Sequence, residues 1–477
     1  MGRSWRLNLM EAFWPVLGIV VCGLLSGFAT IAKAQGGQGE NLVYNSSGTK
    51  VGSKAFIDAS TFAGNVSSPN ICSVLNYILT PTNNIVPSSG AVIDARGLPG
   101  STGTSWTCTN SPWYGISTPP PSTILLPAGT IVIPSTWILP SNTRLIGEGD
   151  GVPLSGAVGT TIQASTSTFS GPMLQFGSST VCPGPTPSVC SGISVENLTL
   201  DGNTSSLATG ILNQYSQSNT FVDHVGLYQI LGTGLSVESG ADGSGPYSNI
   251  RFDTAVAGLA ATVCVNLNGL TSTRGIRGLS CMLQHNDGTA AIYLDSSNNL
   301  IQDVEISGFY DGVLIGANAN AQSNVLVHII GDTSRPLTTT PVNTVHISNS
   351  GGTVSDISLM GLSNSGYNGT YTVEDDVTGP HLSDTSVAIY AIGEAVNVGG
   401  TSLAYSRYTT SPNIATWAVG ASTPTSGCTS ATRGALYSCI GGSSSCCPSG
   451  SSCTVGTSAA LWICGISSGS AQWIGVD

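Results

Sequence analysis

Short runs in which apolar residues alternate with others recur along most of this chain. Seven segments share one form, a polar or small residue followed by apolar-x-apolar. They are Asn197 with Leu198 and Leu200, His224 with Val225 and Leu227, Asn249 with Ile250 and Phe252, Gly278 with Leu279 and Cys281, Asp303 with Val304 and Ile306, Asn324 with Val325 and Val327, and Asp356 with Ile357 and Leu359. Their starts lie 21 to 32 residues apart. A second alternating strand falls between most of them, at Leu235/Val237, Val265/Leu267, Ile292/Leu294, Val313/Ile315 and Val345/Ile347. Alternation sends one set of side chains inward and the intervening set outward. A self-similar period of this length marks a solenoid, whose single coil cannot bury its inner side chains until it stacks on a neighbour. Asn and Asp tolerate left-handed backbone, so their recurrence just before a strand predicts stacked corners. A propeller blade would need four antiparallel strands and about 40–50 residues, longer than the observed period.

Ahead of the repeat, Ile71, Val74, Leu75, Ile78 and Leu79 recur at helical spacing behind Asn70, which predicts a short capping helix. Strands are predicted at 91–94, 123–126, 130–133, 137–139, 143–146 and 161–164. Beyond Asp356 the repeat fades, although 387–392 still reads as strand. From Cys428 a small Cys- and Ser-rich segment begins, with Leu436-Tyr437, 461–464 and Trp473-Ile474 as strand candidates. Trp462 and Trp473 are open to two readings, core packing or sugar contact.

The stretch STILLPAGTIVI (122–133), followed by WILPSNTRLIGEG (137–149) and GTTI (159–162), resembles the first coils of the pectate-lyase superfamily. The resemblance covers roughly residues 54–360. It implies an all-β fold: a single-stranded right-handed parallel β-helix with a short N-terminal capping helix, here followed by a small Cys-rich C-terminal β module. It also implies polysaccharide as the substrate class. The family usually opens its cap helix with Asp-Asp-Thr, where this chain has Pro69-Asn70-Ile71-Cys72. The Asn-Thr-Asp, Gly-His-Gly and Arg-Ile-Lys motifs of the polygalacturonases are missing. Arg251, Arg274 and Arg277 do not sit in the acidic surroundings of the calcium-dependent lyases. Likeness of fold therefore leaves lyase, hydrolase and non-catalytic readings open.

Composition sharpens the compartment. Arg3 and Arg6, an apolar stretch from Ala12 to Ala32 and the Ala32-Lys33-Ala34 pattern read as a cleaved export signal over residues 1–34. An uncleaved anchor is the alternative, and no later segment reads as a membrane span. Residues 35–53 read as a flexible leader, 54–427 as the β-helix and 428–477 as a disulfide-rich module. The remaining twelve cysteines form an even number, as disulfides in an exported chain require. Cys182 and Cys190 bracket a Pro-rich loop and are placed to pair. Zinc among the last six lacks a Cys-x-x-Cys framework and a His. Only 8% of residues are charged, and the net charge of −12 becomes about −14 without residues 1–34. Such a surface repels phosphate backbones, so nucleic acid is not an expected partner. A polyanionic sugar would need a local basic patch. Oligomeric state stays open between a monomer and a trimeric bundle of helices.

Candidate chemistry sits on the outward residues of the repeat. Asp201 and Asp253 are predicted two coils apart, about 9.6 Å between backbones from the strand spacing. Tyr228 lies between them and Arg251 beside Asp253. Two carboxylates at such a separation suit an inverting glycosidase, with Tyr228, Arg251 and Glu305 contacting sugar. The competing reading makes Asp201-Gly202-Asn203 a solvated turn. A second acidic set comprises His285, Asp287, Asp295, Asp303, Glu305 and Asp311. Glu374-Asp375-Asp376 reads as a solvated run. No cofactor is required; calcium is the one ion the acidic set suggests, and no ligand spacing supports it. Two functions follow: a secreted protein that binds and cleaves an extracellular polysaccharide, or a non-catalytic surface or adhesion protein with the β-helix as a spacer.

Overall fold

A single left-handed residue turns the chain from one strand to the next in each coil. Asn197 (φ 54°), His224 (52°), Asn249 (53°), Gly278 (62°), Asp303 (57°), His328 (56°) and Gly361 (62°) occupy this corner on successive rungs. Left-handed backbone costs an ordinary residue roughly 1–2 kcal/mol, which explains the preference for Asn, Asp and Gly there. The strand before the corner builds face one of the coil and the strand after it builds face two. A separate strand, after a turn, builds face three.

The computed structural model describes residues 40–44, 50–100, 104–150, 159–182, 189–254, 261–269, 272–283, 288–332, 343–348, 354–355, 357–364 and 371–376. Beyond these it describes strand backbone at 387–390, 395–398, 401–404, 407–409, 417–420, 436–439, 460–467 and 470–476. From Ala55 to Val398 the three faces stack in parallel ladders, and the fold is a right-handed parallel β-helix. The predicted strands are found at Ala91–Asp94, Ser122–Leu125, Gly129–Ile133, Trp137–Leu139, Thr143–Ile146 and Thr160–Ala164.

The core is a set of vertical columns. Leu200, Leu227, Phe252, Cys281 and Ile306 align rung on rung along face two. All five are buried. Along face three, Leu174, Ile211, Leu235, Val265, Ile292, Val313, Val345 and Val373 form the matching column. Each is fully buried, and each contributes about 1.5–3 kcal/mol on burial. The second strand set read from the sequence is this column.

Two predicted corners are displaced. The residue stacked on Val304 is Ile329, whereas Val325 pairs with Leu300. The sixth corner is therefore His328, not Asn324, and the seventh is Gly361; Asp356 lies outside the described residues. The run Val325–Ile330 is apolar at five of six positions, so alternation alone gives it no unique phase. Asn324 is instead fully buried. Its Oδ1 accepts from the Asn299 backbone N–H (2.9 Å) and Nδ2 (3.0 Å), and its Nδ2 donates to the Ser296 carbonyl (2.8 Å).

The first end of the stack is closed by the predicted helix, Ile71–Leu79. Asn70 caps it by accepting from the Ser73 N–H, and the Ser73 hydroxyl accepts in return from the Asn70 N–H. Its apolar stripe, Ile71, Val74, Leu75, Ile78 and Leu79, is fully buried on the first coils. Disulfides join Cys72–Cys108, Cys182–Cys190 and Cys264–Cys281. At the far end the pairing changes sense. Residues 395–398 pair antiparallel with 401–404, and 387–390 antiparallel with 407–409. Strands 436–439, 460–467 and 470–476 continue antiparallel, so the C-terminal segment is β in backbone. Part of the segment expected to be a flexible leader is strand instead, since Glu40–Tyr44 pairs antiparallel with Lys50–Asp58. Residues 1–39, the last six cysteines' pairing, and the side chains of Trp462 and Trp473 lie outside the described residues. No described helix is long and apolar enough to cross a membrane.

Candidate functional site

Face two brings the sequence-predicted residues into the expected order. Asp201 pairs with Tyr228 and Tyr228 with Asp253, so the two carboxylates stand two rungs apart with the tyrosine between. In the adjacent outward column Gly226, Arg251, Ser280 and Glu305 follow one another. Accessibility divides the group. Asp201 is 6% exposed, and both its oxygens are engaged: Oδ2 accepts from Gln163 Nε2 (2.7 Å) and Oδ1 from the Asn203 N–H (2.9 Å). The second contact is an Asx turn over Asp201-Gly202-Asn203, so the turn reading is correct, but the turn is buried rather than solvated. Tyr228 is also 6% exposed, and its hydroxyl accepts from Gln229 Nε2 (3.0 Å). It does not present the open ring expected of a sugar platform. Arg251, Asp253 and Glu305 remain accessible, with Arg251 donating to Asp253 at 3.2 Å.

The second acidic set does not gather. His285 and Asp287 lie outside the described residues. Asp295 is buried and accepts from the backbone and side chain of Asn318. Asp303, at its corner, contacts the next corner residue, His328, at 3.0 Å. Among the described residues no group of three or more His, Cys, Asp or Glu side chains could hold a metal ion.

A different constellation forms on face three. His346 lies between two carboxylates, with Nδ1 2.9 Å from Asp311 Oδ2 and Nε2 2.9 Å from Asp376 Oδ2. Asn343, three residues earlier in the same strand, donates through Nδ2 to Asp311 (3.0 Å) and to Glu374. Partial burial of the imidazole disfavours its charged form, but hydrogen bonds and Coulombic attraction from Asp311 and then Asp376 outweigh it. The His346 pKa is held at about 9, so the ring is an imidazolium at neutral pH. Asp311 is mostly covered (12% side-chain exposure) whereas Asp376 opens to solvent (44%). Nearby, burial and the charges of Asp311 and Asp295 raise the Tyr293 hydroxyl pKa.

These residues end a longer outward column. Gln175, Leu212, Ser236, Asn266, Tyr293, Leu314, His346 and Glu374 succeed one another along face three. The column mixes neutral polar groups (Gln175, Ser236, Asn266) with two leucines and an aromatic ring before it reaches the charged cluster. The sequence pattern marks these strands from Leu235 to Ile347, while the last, Tyr371–Asp375, falls where a solvated acidic run is expected; the candidate outward residues came only from the other face. The same alternation applied here would have selected Ser236, Asn266, Tyr293 and His346. Asp376, read as part of a solvated run, is held by His346 instead.

No family model matches the chain, and neither does any curated protein. Solved structures show a loose likeness. The protein ORF18 of Geobacillus virus E2 is 12% identical, with 73% of this chain and 64% of that chain covered and a TM-score of 0.31. This chain thus spans just under two thirds of the viral protein. The A-module of the Azotobacter vinelandii mannuronan C-5 epimerase AlgE6 is 16% identical over 56% of this chain and 89% of that one, with a TM-score of 0.26. DFA-IIIase from Arthrobacter chlorophenolicus A6, solved with GF2, is 13% identical over 72% and 93%, with a TM-score of 0.34.

Proposed function

We propose that this protein is an exported polysaccharide-active β-helix that lays a neutral glycan along face three and hydrolyses it beside His346. The observation that carries the reading is the outward column ending in Asp311, His346, Glu374 and Asp376. Rungs repeat about every 4.8 Å, so a linear polymer lying along the axis meets one outward side chain per rung. Gln175 and Asn266 offer neutral donors and acceptors and Tyr293 an aromatic face, whereas Ser236 and Leu314 of the same column are buried.

The cluster holds the groups that glycosidic cleavage needs. Asp311 and Asp376 flank the His346 ring, each with an oxygen 2.9 Å from one of its nitrogens, so the imidazole occupies the space between them and the three groups act as one proton-holding cluster. Asp376, the more open of the two, is suited to draw a proton from water. The covered Asp311 and the His346 imidazolium form the side from which a proton reaches the leaving oxygen. The acidic surroundings favour a neutral polymer over a polyuronate, whose carboxylates would meet like charge. That argues for hydrolysis rather than for the lyase chemistry suggested by the sequence resemblance. Arg251, Asp253 and Glu305, the accessible face-two residues, are proposed as secondary contacts.

The test is turnover of a polysaccharide panel by the mature protein and by Asp311→Asn, Asp376→Asn, Asp201→Asn and Asp253→Asn. Losses of about 10²-fold or more in the first pair, with the second pair near wild type, support the assignment. The reverse pattern moves the centre to face two. Binding without turnover on any glycan leaves the adhesion role.

A further inference from the structure

The N-terminal cap carries a cleft of about 460 Å³, set at the cap helix and separate from the face-three column. Its walls are the loop at 65–68, one side of the cap helix and the segment 109–114. They are held by specific bonds. The Cys72–Cys108 disulfide joins helix to loop. Asn76 Nδ2 donates to the carbonyls of Pro112 (3.1 Å) and Tyr114 (2.8 Å). Across the cleft, Asn65 Nδ2 donates to the Tyr77 hydroxyl (3.1 Å), and Phe62 packs a tilted ring on Tyr77. A site whose walls are tied together before a ligand arrives loses little freedom on binding.

The lining is chemically uniform. It contains no Asp, Glu, Lys, Arg or His; apart from Val66 and Cys72, every residue is Asn, Ser, Thr or Tyr. Amides and hydroxyls both donate and accept, which matches a ligand dense in hydroxyl groups. A charged ligand would lose its hydration there with no opposite charge to receive it. At the rim Tyr114 is 66% exposed, the most exposed of the three exposed large apolar residues among the described ones. Its flat apolar body with a polar tip fits the C–H face of a pyranose ring. The volume lies within the range of about 300–1,000 Å³ usual for small-molecule sites.

We infer that this cleft is a second, non-catalytic binding site that takes one or two units of a neutral sugar, with Tyr114 stacking on the ring. It stands whether or not face three hydrolyses a glycan. The experiment is calorimetric titration of the mature full chain with neutral disaccharides (cellobiose, maltose, xylobiose, mannobiose) and with digalacturonate as the charged comparison. At least one neutral disaccharide should bind, with affinity unchanged as salt is raised through ~0.5 M. Tyr114→Ala should weaken it about tenfold or more, and Tyr114→Phe should retain it. Because Tyr114 is exposed, the alanine variant keeps the fold, and far-ultraviolet circular dichroism checks this. Asp376→Asn should leave the affinity untouched, so failure of the face-three reading and failure of this one are separable. Absence of binding by every neutral disaccharide overturns the inference. So does undiminished binding by Tyr114→Ala, or salt-sensitive preference for digalacturonate.

Discussion

Raising the pH should discharge His346 only near pH 9 and loosen face three as it does so. The groups facing this ring are Asp311 and Asp376, in direct contact, with Glu374 tied in through Asn343. Tyr293 lies two positions away in the same column. The folded pKa of about 9 exceeds the ordinary imidazole value of 6.5. Protonation therefore favours the folded state. The stabilisation is fully present below pH 6.5 and is lost as pH climbs through about 9. At 1.36 kcal/mol per unit the linkage amounts to about 3 kcal/mol. The ring is 19% exposed, so solvent screening removes only part of it. The measurement is the pH titration of the imidazole Cε1–H signals by NMR. The chain has five histidines, and His346→Gln identifies the signal by its disappearance. An inflection near 9, moving down in Asp376→Asn, is the expected result. An inflection at or below pH 7 in the wild type would refute the two-carboxylate clamp.

Other expectations follow from the core and the turns. Phe252→Ala should cost about 3–5 kcal/mol, because the ring is fully buried and a cavity would replace it; hydrogen exchange should show the loss concentrated in its own coil and the two beside it. Gly234→Ala should be damaging for the complementary reason, since a Cβ there would sit 2.7 Å from the Phe252 ring, and a lowered melting temperature would report it. Breaking Cys264–Cys281, which closes 17 residues, should cost about 3 kcal/mol in denaturant unfolding of the double serine variant. Asn324→Leu should destabilise by about 1–3 kcal/mol by stranding the Asn299 donors, and an unchanged denaturation midpoint would contradict the buried bridge.

The coil repeat was legible because its physics is local. A left-handed corner wants Asn, Asp or Gly, and each strand after it must alternate, so Asn197, Asn249, Gly278 and Asp303 announce their own positions. His224 and His328 are corners that composition does not announce. His224 was found through its flanking strand, whereas His328 was lost inside the run Val325–Ile330. The site was less legible for a different reason. Asp201, Tyr228 and Asp253 were correctly placed in one column, since register follows from period. Burial does not, because it depends on what packs over a rung from outside. The Asp311–His346–Asp376 clamp joins residues 30 to 35 positions apart on neighbouring rungs. Pairing of that kind becomes visible only once the turns between strands have fixed which side chains meet.

The reversal of strand direction after Val398 has a consequence for the molecule's behaviour in bulk. A ladder of parallel rungs is an open template at each terminus, ready to recruit the first rung of another chain and grow into a fibre. Here one terminus is plugged by the helix Ile71–Leu79, and at the other the strands 401–404 and 407–409 fold back on the last rungs. Removing the strands that follow Val398 should make the chain polymerise end to end, which light scattering would detect.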